Sequence, residues 1–170
     1  MHLVPFYRLF PGLAEKETRT VTTFGDFGLP ADDYALVEYY CPDPECDCRR
    51  VMLNVFGRRQ TANHFLAAIS YGFDRDDEDA GPFLDPLNPQ SEHAEALLDL
   101  VEEVVLSDQN YVARLESHYR QVKEATADPS HPVHERLREL YAESEPRSRR
   151  PRGQDHKRSK RQRRRRRRRR

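Results

Sequence analysis

Glycine is scarce in this chain, with 7 in 170 residues. None of it falls in a GxGxxG after a strand, a GxxxxGKS/T or a GxSxG pattern. Those patterns let backbone amides cradle phosphate or raise a serine nucleophile above a sheet. Phosphate-cradling loops and serine-hydrolase chemistry therefore have no motif here. Long apolar runs are missing too: no stretch approaches the ~20 residues that cross a bilayer. The opening residues, Met1-His2-Leu3-Val4-Pro5-Phe6, lack the basic start and long apolar run of a secretory signal. Cysteine is limited to three, all within eight positions. An odd number in a chain without such a signal argues against a disulfide framework and for thiols in a reducing compartment. A cytoplasmic protein without a transmembrane segment is expected.

What is abundant is charge, at 34% of residues, and its formal balance of zero conceals a division. From Arg147 onward there are 16 Lys and Arg against the single acid Asp155, a net of +15. The preceding residues hold 13 basic and 28 acidic side chains, a net of −15. Beyond Pro146 there is no apolar side chain to build a core, and like charges repel, so 147–170 is expected to be a disordered arginine-rich tail. The domain proper is expected over 1–146.

Within 1–146 the patterning predicts an α+β fold. Four segments read as strands: Thr18–Phe24, Tyr34–Tyr40, Arg50–Phe56 and Asn63–Phe73, rich in Val, Ile, Thr, Tyr and Phe. The connections between the last three are short, which means antiparallel neighbours in a meander of three strands, or four with Thr18–Phe24. Residues 74–90 carry an acidic run and Pro82, Pro86 and Pro89, and read as a loop. Apolar positions at helical spacing then follow. Leu97, Leu98, Val101, Val104 and Val105 come after a Ser91 cap. Tyr111, Leu115, Tyr119 and Val122 come after Ser107-Asp108. Val133, Leu137, Leu140 and Tyr141 come after Pro132. Two or three such helices can cover one face of the sheet.

The most specific chemistry is Cys41-Pro42-Asp43-Pro44-Glu45-Cys46-Asp47-Cys48, a C-x4-C-x-C segment between two strands. A rigid, proline-containing turn can hold thiolates close enough for a tetrahedral zinc ion at ~2.3 Å. Arg49 and Arg50 follow directly, and nearby positive charge favours the deprotonated thiols that a metal needs. The bland alternative is three ordinary thiols in a hairpin turn. A zinc site needs a fourth ligand. His64 should lie at the far end of the hairpin, because Phe56 paired near Asn63 would put Cys48 opposite roughly Tyr71. His93 follows the loop that leaves the cysteine end of the sheet. His118, three residues after Leu115 and four before Val122, faces the apolar side of its helix and is the favoured candidate. A satisfied core histidine is the competing reading of His118. Asp43, Asp47 or a water are further options for the fourth position.

Weaker patterns are discounted. Asp74, Asp76 and Glu78 imitate a calcium loop without its glycine at the sixth position or its glutamate at the twelfth, so a solvated loop is favoured. His131 and His134 bracket a helix start without an HExxH motif. The tail residues Lys157, Arg158, Lys160, Arg161, Arg163, Arg164, Arg165, Arg166, Arg167, Arg168, Arg169 and Arg170 form a polyanion-binding arm. It should bind RNA or DNA non-specifically and in a salt-dependent way. With no aromatic among them, base stacking and sequence readout are not expected. Rest of the tail on its own acidic body is the alternative.

The stretch LVEYYCPDPECDCRRVMLNV (36–55), with ISYGF (69–73), FLDPLNPQS (83–91) and YVARLESHYRQVK (111–123), resembles a small bacterial protein family for which no activity is established. The resemblance covers most of residues 1–125 and none of the tail. Because it extends through His118-Tyr119, it implies a role for His118 at the metal. Three functional readings follow. The first is a zinc-stabilised, non-enzymatic binding module with a nucleic-acid-contacting tail. The second is a metal-dependent enzyme with an open position beside the cysteines and Asp43, Glu45 or Asp47 as general base. The third is a thiol redox sensor.

Overall fold

A computed structural model describes residues 3–59, 64–74, 76–78 and 80–144. The expectations for the arginine-rich tail, and the boundary at Pro146, lie outside the described residues. The chain divides into two compact units, 1–137 and 138–170. The second is described only as the last turns of a helix, over 138–144.

The first unit begins with β1 (Val4–Pro5), α1 (Phe6–Leu9) and α2 (Pro11–Glu17). Five strands follow: β2 (Arg19–Thr22), β3 (Asp33–Tyr40), β4 (Arg50–Gly57), β5 (Ala67–Gly72) and β6 (Phe83–Leu84). Next, α3 (Ala94–Leu100) runs into a π-helical turn at Val101–Val105, then α4 (Gln109–Ala127) and α5 (Val133–Ser144). The sheet order is β1-β3-β4-β5-β6, with β2 also paired to β3, and every pairing is antiparallel. The α+β class and the β3-β4-β5 meander are as the sequence predicts.

The differences have local causes. The segment 1–18 carries two helices of one or two turns, too short for a 3.6-residue period to show in the sequence. Pro11, at the first turn of α2, lacks an N–H that would have no partner there. The hairpin register is shifted: Arg50 pairs with Gly72 and Val55 with Ala67. The expected pairing of Phe56 near Asn63 lies outside the described residues. His64 nevertheless stands beyond the Val55 end of β4, since Leu66 donates to the Val55 carbonyl, and the cysteines precede Arg50 at the other end. The predicted single helix from Ser91 becomes α3 plus the π turn. Leu106 N–H bonds the Val101 carbonyl five residues back, and this wider turn buries Val101, Val105 and Leu106 together. Asp108 caps α4 as expected, accepting from the Asn110 and Tyr111 amides.

Period-two burial places Tyr34, Leu36, Glu38 and Tyr40 on one face of β3. The register continues that face through Leu53 and Val55 to Ile69 and Ala67. The buried stripe of α4 is Tyr111, Leu115, His118 and Val122, and it meets this face. Glu38 is the exception in an otherwise apolar row, and a buried carboxylate must be hydrogen-bonded. His118 Nδ1 lies 2.7 Å from Glu38 Oε2, and His118 Nε2 lies 2.8 Å from Glu17 Oε2 at the end of α2. The imidazole stacks on Phe6 with centroids 4.1 Å apart. Tyr40 Oη donates to Glu38 Oε2 at 2.9 Å and lies 3.2 Å from the Leu115 carbonyl. Four elements, α1, α2, β3 and α4, thus meet at one imidazole.

Replacing His118 with Ala should leave a buried carboxylate without its nitrogen donor. Removing one member of a buried pair costs ~3–5 kcal/mol, readable in urea unfolding. A loss under ~1 kcal/mol, the worth of a surface pair, would contradict this account of how α4 is seated.

Candidate metal centre

The cysteine segment is the connection from β3 to β4. Tyr40, fixed by its hydroxyl, delivers Cys41 into the core, where it is 3% exposed. Pro42 and Pro44 fix their own φ angles. The Asp43 carboxylate accepts from the Glu45 amide at 3.0 Å, and the Cys46 amide donates to the Asp43 carbonyl at 3.3 Å. The chain therefore turns sharply and returns Cys46 and then Cys48 to Cys41. The three Sγ atoms lie within 4.8 Å of one another, and all three cysteines are free thiols. Tetrahedral zinc at ~2.3 Å sets sulfurs ~3.8 Å apart, so a small contraction of the turn would suffice.

The turn is closed by strain and held by α4. Arg49 has φ +40°, a left-handed conformation for a side chain with a Cβ. Such a conformation persists where neighbours fix it. Here the Arg49 amide donates to Tyr119 Oη at 3.3 Å, and its guanidinium pairs with Asp74 at 3.0 Å. Lys123, one helical turn after Tyr119, donates from Nζ to the Asp43 carbonyl at 2.6 Å and the Cys46 carbonyl at 2.7 Å. Its ammonium also sits 5.3 Å from the Tyr119 ring centroid. Lys123 is the cation of the site. Arg49 and Arg50, the expected donors of positive charge, are directed instead to Asp74 and to Ser70 and Asp77.

The thiols are inequivalent. The Cys48 amide donates to the Cys46 sulfur and is the main reason the Cys46 thiol is held below its ordinary value, with the neighbouring thiols and Lys123 adding to it. Burial, together with the nearby Cys46 and Cys41 sulfurs, pushes Cys48 up to about 11. In the metal-free protein near neutral pH, Cys46 carries more thiolate character and Cys48 keeps its proton.

The structure gathers three of the four expected ligands and leaves out the fourth. Among the described residues, Cys41, Cys46 and Cys48 are the one group of three or more His, Cys, Asp or Glu side chains close enough to share an ion. His118 is not with them, because Glu38 and Glu17 engage both of its ring nitrogens. The satisfied core histidine is the reading that this geometry fits. The helical phase explains the outcome: Tyr119 and Lys123 project toward the cysteine turn, and position 118 is a hundred degrees around the helix from 119. His93 stands at the start of α3, its carbonyl accepting from Leu97. His131 and His134 serve the Asp128–Val133 turn, His131 Nδ1 accepting from the Val133 amide and His134 Nε2 lying 2.9 Å from the Asp128 carbonyl. Sequence singles out none of Lys123, Glu38 and Glu17, and it places Tyr119 only in the apolar stripe of its helix. An acid at the even position of the Tyr34-Leu36-Glu38-Tyr40 row was the signal available for Glu38.

No family model, no curated protein and no solved structure matches this chain. The reading of the site therefore rests on its own geometry.

Alkylation of the metal-free protein at pH 8 should modify Cys46 faster than Cys48, by about tenfold or more, as thiolate fraction dictates. Fragment-ion mass spectrometry separates the two positions. Equal rates, or Cys48 first, would contradict the asymmetry.

Proposed function

We propose that the protein is a metal-binding module. In this reading, thiolates from Cys41, Cys46 and Cys48 hold one zinc ion, and the ion ties the β3–β4 connection to α4. The observation that carries it is the approach of three free sulfurs, with no disulfide, around one turn that Lys123 braces through two of its carbonyls. Zinc is the ion of choice on chemical grounds, since thiolate donors suit a borderline-soft d10 ion. The role is structural and non-enzymatic. Three thiols without a disulfide suit a reducing, cytoplasmic setting. Among the described residues no helix is long and apolar enough to cross a membrane.

The arginine-rich segment from Arg147 supplies, in the same proposal, a non-specific contact to RNA or DNA. Its support is composition: 16 basic residues against one acid. Binding of this kind weakens linearly on a log–log plot against salt, with a slope set by the phosphates neutralised. A titration of single-stranded RNA at several salt concentrations should show a steep slope. A salt-insensitive or undetectable affinity would remove the nucleic-acid part and leave rest of the tail on the acidic body.

Thiol redox sensing is a second reading, favoured by the pairing of a lowered Cys46 thiol with a close Cys48. Elemental analysis of the full chain, purified without an affinity tag, separates the two. About one zinc per chain, lost in Cys46→Ser together with a drop in thermal midpoint, is the expected result. No metal, three titratable thiols and an unchanged midpoint in Cys46→Ser would overturn the zinc reading and favour redox chemistry.

A further inference from the structure

Three thiolates leave a tetrahedral ion one position short, and closed structural sites fill that position from the protein. Among the described residues the histidine and acid side chains that could fill it lie outside the three-sulfur group. His118 is bound at both nitrogens by Glu38 and Glu17, and His93 stands at the start of α3. The Asp43 carboxylate caps the Glu45 amide inside its own turn. Among the described residues no fourth His, Cys, Asp or Glu donor joins the three sulfurs. Cys41 is buried, while Cys46 and Cys48 are partly exposed on a surface connection. An ion held by the three therefore sits where the core meets solvent, with Cys41 behind it.

Charge selects what can bind there. Three thiolates and a divalent ion sum to −1, and the Lys123 ammonium brings the ensemble to neutrality. Lys123 donates to two uncharged carbonyls, and among the described residues no carboxylate pairs with it. The Arg49 charge is already matched by Asp74. Asp43, Glu45 and Asp47 of the same turn are exposed and add negative charge to this surface. An anionic fourth ligand would make the centre negative and would meet the negative charge of those acids, whereas a neutral donor does neither.

We propose that the fourth coordination position is filled from outside the chain by an exchangeable, neutral nitrogen donor of the imidazole type, with water occupying it otherwise. The centre is then an open metal site that can accept a ligand from a partner molecule, such as a histidine side chain. This rests on the metal-binding reading above.

Cobalt(II) in place of zinc tests both claims, because its visible bands report coordination. The full chain is loaded with cobalt(II) and titrated with imidazole and, separately, with thiocyanate at matched concentrations. The expected result is a set of thiolate-to-cobalt bands that are absent in Cys46→Ser. Imidazole should then shift the ligand-field bands saturably and reversibly while the thiolate bands persist, and thiocyanate should shift them at least several-fold less. Absence of cobalt binding would sink the metal reading itself. Bands that form but do not move with imidazole would show a closed site and overturn this inference alone. An equal response to thiocyanate would overturn the preference for a neutral donor. Loss of the thiolate bands on adding imidazole would mean that the ion is stripped, which also counts against the inference.

Discussion

Glu38 lies on β3 with 5% of its surface exposed, and a carboxylate in that position has to be met by donors from whatever layer covers it. Desolvating an ionised group costs several kcal/mol unless hydrogen bonds replace its water. His118 and Tyr40 do this, and each brings something with it. His118 brings α4 at a set height and rotation, and Tyr40, held through its hydroxyl, is the residue directly before Cys41. Glu17, on the other ring nitrogen, draws the end of α2 to the same point. An apolar pair at these positions would fill the space as well but would not choose among the helix rotations that apolar packing tolerates.

From that seat α4 reaches the cysteine turn. Tyr119 and Lys123 stand one turn apart and touch the turn at Arg49, Asp43 and Cys46. The sheet therefore supplies Cys41 directly, and α4 secures the return of Cys46 and Cys48 toward it. The stability of the fold and the geometry of the thiols share one origin, since whatever loosens the Glu38–His118 contact also loosens the helix that anchors the turn.

Much of the fold was legible because it is periodic. The β-rich runs at Tyr34–Tyr40 and Arg50–Phe56 and the helical stripe of Tyr111–Val122 are each long enough to identify the element. The cysteine cluster was legible because three thiols within eight residues cannot be far apart. What escaped depended on long-range contact. The short helices before Thr18 have no period of their own. The longer β4–β5 connection shifted a register that no local rule specifies. His118 fits the stripe and suits a ligand equally, because sequence does not show that Glu38 and Glu17, about eighty and a hundred residues earlier, come to its two nitrogens. Lys123 looked like an ordinary surface lysine for the same reason: its partners are carbonyls, which every residue has.

In the proposed centre, three thiolates and one light donor surround a metal at this turn. Zinc-edge X-ray absorption on the full chain reads that directly. The account predicts three sulfurs at ~2.3 Å and one nitrogen or oxygen at ~2.0–2.1 Å. A shell of oxygen and nitrogen alone would place the ion away from Cys41, Cys46 and Cys48 and contradict the account.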